Sequence, residues 1–337
     1  MNQRLAYIDR CRGLAILLVV AGHVAETAPD ATNRWYAILK HDIIYMFHIP
    51  LFFFISGFLC QYTAKPLRDA GDYLKTSWRK LSRLAPGYLF LSTAAVMITL
   101  LTHRSGPGSA AVSAILHDVY LLLAHPASSV LRQLWFLQTL AWLLLLFPLL
   151  AAHRGRYLKR ALAVALVLPY LPGPQFFSLE YVMEHAFIFL LGAWLARDVT
   201  RFERWIDAAG PVFVLLFVCA CVVSPVFGFS PARPISYHAA KTVFSLIAIP
   251  AVCHVMRLNL GLVGDALARM GVWALSIYLL HPFLLFAGRA IASQLSLFSG
   301  PLFILSFVTL TAIGVGVPCL LKKSVLPRYR LLNTYTG

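Results

Sequence analysis

The chain has 337 residues, of which 60% are hydrophobic and only 12% charged, whereas about a quarter of residues are charged in a soluble domain. That balance excludes a sizeable soluble domain, a disordered chain and a disulfide-stapled scaffold, and fits a polypeptide solvated by lipid. The net charge of +16, from 29 Lys and Arg against 13 Asp and Glu, sits in short loops; it reads as a topology signal and argues against nucleic-acid binding.

Spanning helices need about 20 apolar residues each. Apolar runs at Gly13–Ala28, Ile43–Tyr62, Leu84–Leu101, Leu134–Ala151, Ala161–Leu171, Tyr181–Arg197, Pro211–Phe229, Ala239–Met256, Met270–Phe286 and Leu302–Leu321 predict an all-α transmembrane bundle of about ten helices forming one domain. Arg4, Arg10 and Arg12 before the first run resemble the start of a signal peptide, but His23 within that run favours a retained span. The run from Ala161 is short and carries Pro169 and Pro172. An eleventh segment, Ala110–Ala124, is also short and contains His117 and Asp118.

Loop charge orients the bundle. Lys65, Arg68, Lys75, Arg79, Lys80 and Arg83 form one basic stretch, and Arg154, Arg156, Lys159 and Arg160 the next. Both should be cytoplasmic, which requires an even number of crossings between them. The runs from Leu84 and Leu134 supply two, so Ala110–Ala124 is expected to be re-entrant or to lie along the far surface. Continuing the parity puts Pro172–Glu180 and Ser230–Tyr237 outside, and Arg197–Arg204, Arg257–Arg269 and the tail with Lys322, Lys323, Arg328 and Arg330 inside. Both termini are then cytoplasmic. Cys11, Cys60, Cys219, Cys221, Cys253 and Cys319 lie in or beside apolar runs with no C-x-x-C pair, so neither a disulfide nor a zinc site is expected.

Ionisable groups within spans are functional candidates. Arg12 and His23 are eleven residues apart, three helical turns and about 16 Å along one stripe; Glu26 and Asp9 lie near the same face. A lone arginine in that place also serves as a snorkelling anchor. His48 opens the run FHIPLFFFISGFL, in which Pro50 releases a backbone hydrogen bond and Ser56 with Gly57 permits close helix approach. His281, in SIYLLHPFL, has the same offset from its cytoplasmic edge as His23, which gives the two rings similar depth. Arg79 and Arg83, one turn apart, suit phosphate oxygens, although the positive-inside bias also accounts for that loop. Trp135 and Phe136 fit an aromatic belt or a stacking surface for a sugar ring. Glu180, Glu184 and His185 can hold an acceptor, bind a cation or face water.

These residues resemble the acyltransferase 3 family of integral membrane acyltransferases, in particular its fucose 4-O-acetylase-like branch. YIDRCRGLAILLVVAGH carries the family's arginine, ten residues, histidine pattern as Arg12 and His23. FHIPLFFFISGFL, RKLSRLAPGY, the WFL at Trp135 to Leu137 and LSIYLLHPF follow in the family's order. The resemblance implies a ten-helix enzyme of the bacterial inner membrane. It takes an acyl group, usually acetyl, from cytoplasmic acetyl-CoA and delivers it to a hydroxyl of a cell-envelope glycan, exopolysaccharide or lipid-linked sugar.

Acyl transfer to a hydroxyl needs a base, a positioned thioester and oxyanion stabilisation. The expected base is His23, whose ordinary pKa near 6.5 suits the role, with Glu26 orienting it or relaying protons. Arg12, Arg79 and Arg83 are the expected phosphate ligands; His48, Ser56, Trp135 and His281 are candidates for acceptor binding or oxyanion stabilisation. A covalent acyl-histidine route, and a transporter or flippase with a His/Glu proton relay, are the alternatives; no metal is expected. The acceptor, the modified hydroxyl, the acyl length and the oligomeric state stay open.

Overall fold

The computed structural model describes residues 5–26, 30–65, 67–102, 108–151, 157–227 and 234–324, and among these all regular structure is helical. Arg154, Arg156, Arg328 and Arg330, counted above as loop charges, lie outside the described residues. In chain order the helices are α1 (Ala6–Gly22), α2 (Ala31–Tyr62), α3 (Ala70–Thr102), α4 (Gly108–Ala124), α5 (Leu134–Ala151), α6 (Leu158–Val167), α7 (Leu179–Leu195), α8 (Val199–Phe227), α9 (Pro234–Arg257), α10 (Gly261–Val272), α11 (Ala274–Gln294) and α12 (Leu302–Ser324). Six stretches are long and apolar enough to cross a membrane: Ala31–Tyr62, Ala70–Leu101, Leu179–Val226, Ile235–Arg257, Ala274–Gln294 and Leu302–Ser324. The chain is a multi-pass membrane protein.

Its contacts form two units, the described residues of Met1–Ser56 with Leu195–Asn333, and those of Gly57–Trp194. In the first, α1 is the centre. It packs against α9, α10, α11, α12 and the start of α2, and buries Ile8, Cys11, Ala15, Ile16, Val19 and Val20, as a helix apolar nearly all round must. The segment 257–269, expected as a basic loop, instead contains α10. At twelve residues α10 is too short to register as a span, yet it runs antiparallel to α1 at backbone contact. A Cβ on Gly13 would lie 1.9 Å from the Leu267 carbonyl oxygen, and one on Gly271 1.9 Å from that of Asp9. Arg10 closes the corner by donating from Nη1 to the Met256 and Leu258 carbonyls, each at 3.0 Å, at the C-terminus of α9, where cations are favoured. Arg257 pairs with both carboxylate oxygens of Asp207 at 2.8 Å and lies over the Tyr7 ring.

Helix α2 starts twelve residues before the apolar run that begins at Ile43. Lys40, His41 and Asp42 hide this start from a hydropathy reading, because the chain runs through them as a seven-residue π-helix, Ile38–Ile44, rather than a loop. Asp30 caps the first turn, its carboxylate accepting from Thr32 Oγ1 and Asn33 N and, across the fold, from Gly300 N at 2.7 Å. Inside α2, Pro50 has no N–H for the carbonyl of Met46; the Ser245 hydroxyl of α9 donates to that oxygen at 3.0 Å.

In the second unit α3 and α4 lie antiparallel, joined by hydrogen bonds from Tyr88 to the Leu122 carbonyl and from Thr99 to Asp118. The second bond explains how α4 carries a carboxylate: Asp118 is buried toward α3, while Val112, Leu116, Val119 and Leu123 are exposed. Gly57 lets α2 approach the Phe189 carbonyl of α7. Helices α5, α6 and α7 line an open pocket of about 410 Å³ whose walls are apolar apart from Tyr157 and Arg160.

Candidate active site

Where α1 ends, its last four carbonyls lack helical partners, and satisfying them builds the site. The Val20 carbonyl takes the backbone N–H of His23 at 3.0 Å, and that of Ala21 takes Val24 N at 3.4 Å. The Gly22 carbonyl faces the hydroxyls of Tyr36 and Tyr45, each at 3.2 Å. The Val19 carbonyl is bonded to the His23 ring itself, Nδ1 to O at 2.9 Å. A carbonyl only accepts, so Nδ1 carries the proton and Nε2 keeps its lone pair. Capping the helix therefore fixes the tautomer a general base requires.

His48 and His281 repeat the device, with Nδ1 bonded to the carbonyl four residues earlier, Ile44 at 2.6 Å and Ile277 at 3.0 Å. Both are buried, His281 to 1% exposure, whereas His23 is exposed as a residue with its Nδ1 bond partly buried. The His23 and His281 centroids are 5.5 Å apart, and Tyr45 lies 6.5 Å from His23 and 5.3 Å from His48. His23, at the end of α1, thus lies beside His281 of α11 on one hand and beside Tyr45 on the other, and Tyr45 in turn lies beside His48 of α2.

Two residues that the sequence reading missed hold this arrangement. The Tyr36 hydroxyl accepts from Ala25 N at 3.0 Å and lies 3.1 Å from the carbonyls of Ala21 and Ala25. Lys40 Nζ donates to the Ala25 and Glu26 carbonyls at 2.7 and 2.8 Å, and sits 5.4 Å from the Tyr45 ring centre. Lys40 and Tyr45 are five residues apart, neighbours in the i to i+5 register of a π-helix and not in that of an α-helix. The available signal was the charged triplet at residues 40–42, immediately before the apolar run that begins at Ile43.

The other expected residues are distributed as follows. Arg12 is half-buried on α1, and the helix is unbroken from Arg12 to the residue before His23, which keeps their axial offset at about 16 Å. Glu26 is 84% exposed with its carboxylate 3.8 Å from Arg289 of α11. Ser56 is half-buried two turns beyond His48 on α2. Arg79, Arg83 and Trp135 belong to the second unit. There Arg79 and Arg83 are exposed, while Lys80 between them turns inward, 2.7 Å from Cys60 Sγ and over the Phe147 ring. Trp135 lies 4.3 Å from Tyr181 and stacks on His185 at 5.8 Å; Glu184 is 3.8 Å from that imidazole. The preceding loop holds Phe177 and Ser178 at φ +56°, a left-handed conformation uncommon for side-chain-bearing residues, secured by Trp142 Nε1 on the Phe177 carbonyl and by Ser178 Oγ on Gln138.

A family model described as an acyltransferase domain matches residues 5–323. No curated protein and no solved structure matches the chain.

Proposed function

The chain belongs to the acyltransferase 3 family, whose model spans nearly all of it, and is a membrane acyltransferase; from that premise we propose that it moves an acetyl group from cytoplasmic acetyl-CoA to a hydroxyl of a cell-envelope or exopolysaccharide sugar. It does so in a bacterial inner membrane, as a member of the fucose 4-O-acetylase-like branch. The bundle has about ten spans and cytoplasmic termini, an orientation supported by the common side of its basic loops.

His23 is the general base, and one observation carries this reading: its Nδ1 proton is committed to the Val19 carbonyl at 2.9 Å, which leaves an unprotonated Nε2 on the least buried of the three histidines. The acceptor hydroxyl gives its proton to Nε2 and its oxygen attacks the acetyl carbonyl. The carbon–sulfur bond then breaks, and the departing thiolate recovers the proton from the imidazolium. Such a base contributes about 10² to 10⁴ in rate. Arg12 binds the donor phosphates, and an offset of about 16 Å from Arg12 to His23 suits an extended thioester arm; Arg79 and Arg83 are candidate phosphate ligands of the second unit, by charge and one-turn spacing. His281, whose Nδ1 proton is likewise committed, offers an acceptor nitrogen suited to a sugar hydroxyl, and His48 is a further acceptor contact. Ser56 is a further acceptor contact, Glu26 assists proton relay, and Trp135 of the second unit is a candidate sugar-stacking surface on the strength of its aromatic face.

Incubating purified protein with labelled acetyl-CoA and a panel of glycans tests the proposal. His23→Ala is expected to abolish turnover while donor binding survives, and Arg12→Ala to weaken donor binding. Full turnover in the His23 variant would refute the assigned base.

A further inference from the structure

Among the described residues Lys40 is the one buried lysine or arginine, 6% exposed. Burying an ammonium within a membrane bundle is costly, and the hydrogen bonds that offset this cost go to backbone carbonyls rather than to a carboxylate. The Glu26 carboxylate instead faces Arg289. The two carbonyls, of Ala25 and Glu26, belong to the turn that leaves α1 immediately after His23. They lie at the negative end of the α1 dipole, where a cation is favoured. Tyr36 holds the same turn through Ala25 N, and Tyr45, over which Lys40 sits, bonds the Gly22 carbonyl on the other side of His23. The histidine is thus bracketed: its preceding residue is tied to Tyr45, and its following residues to Tyr36 and Lys40.

We propose that Lys40 is a positioning residue for acyl transfer, fixing the exit turn of α1 so that Nε2 of His23 is held toward the reacting hydroxyl. It acts through His23 and touches neither substrate. The π-helical segment provides the register that lets one side chain reach both carbonyls while stacking on Tyr45. This inference rests on the reading of His23 as the base.

The test measures transfer kinetics with labelled acetyl-CoA, together with hydrogen exchange at the amides of residues 23–26, for wild type, Lys40→Met, Lys40→Arg and His23→Ala in one detergent. Lys40→Met is expected to lower kcat about a hundredfold, the order of loss that follows a displacement of about 1 Å, with KM for acetyl-CoA within about twofold of wild type. Exchange of the turn amides should rise. Lys40→Arg, whose forked donors can reach both carbonyls, should recover most of the rate. If Lys40→Met is not monodisperse, Lys40→Gln gives the same readout. Wild-type kcat in the methionine or glutamine variant beside an inactive His23→Ala would overturn the inference, as would a raised KM at unchanged kcat. Turnover in His23→Ala would instead overturn the reading beneath it.

Discussion

At the scale of single residues, chemistry here follows from backbone accounting. A helix that stops inside a packed bundle must find donors for its last carbonyls, and α1 spends one imidazole proton on that task. The sequence marked His23 and His281 as rings at equal offset from their basic edges, a matter of rise per residue. It could not mark the Nδ1 bonds that orient them, since these depend on rotamers. Asp30 illustrates the same accounting outside the spans. Hydrogen bonds from Thr32 and from the backbone of Gly300 hold its carboxyl below the usual carboxylate range. A carboxyl with a depressed folded-state pKa contributes stability that is fully present above its unfolded value, about 3.9, and lost as pH falls through the folded value. Thermal unfolding in detergent should therefore show wild type more stable than Asp30→Asn at pH 6, and the gap closing below about pH 4. A gap that persists into acid would mean that the bond to Gly300 does not depend on charge.

Among elements, the pairing of α1 with α10 carries the clearest consequence. The Cβ added by Gly13→Ala would meet the Leu267 carbonyl oxygen at 1.9 Å, a backbone atom that cannot rotate away. The helices must separate, at a cost of about 1–3 kcal/mol. Gly316 of α12 has open space around it, so Gly316→Ala should be neutral or stabilise by up to about 1 kcal/mol through helix propensity. Comparing the two unfolding midpoints isolates the close approach from the general effect of removing glycine; equal midpoints would refute the contact. Gly13 also follows Arg12, so the alanine variant should bind the donor more weakly. Neither α10 nor the π-helical start of α2 was legible, and for related reasons. A hydropathy window senses length and mean polarity, and both elements are short with charges inside them. The apolar helices α5 and α12 were legible because no charge interrupts them before the last turn, and α9 and α11 because long apolar stretches adjoin Lys241 and Arg289.

For the whole molecule, orientation rests on charge and on length. The continuous stretch Leu179–Val226 has 48 residues, about 72 Å of helix against a hydrocarbon core of about 30 Å. One crossing cannot contain it. Two crossings meeting at the 3₁₀ turn Ala196–Asp198 would put Arg197, Arg201 and Arg204 at one surface, the side where the positive-inside bias would also put Lys65–Arg83 and the residues flanking α10. Single cysteines in a cysteine-free background test this in intact cells and in inverted vesicles with a membrane-impermeant thiol reagent. Cysteines at Arg68, Arg201 and Asn259 should label only in inverted vesicles, and those at Ser128 and Gly173 only in intact cells. Ser128 decides the parity, because it follows α4: labelling of Arg68 and Ser128 from the same side would make α4 a full crossing and reverse every later loop. The sidedness of Arg12 and His23 would stand under either result, since both precede α4, and Trp135 would then lie on the donor side, where it could not receive a sugar from outside.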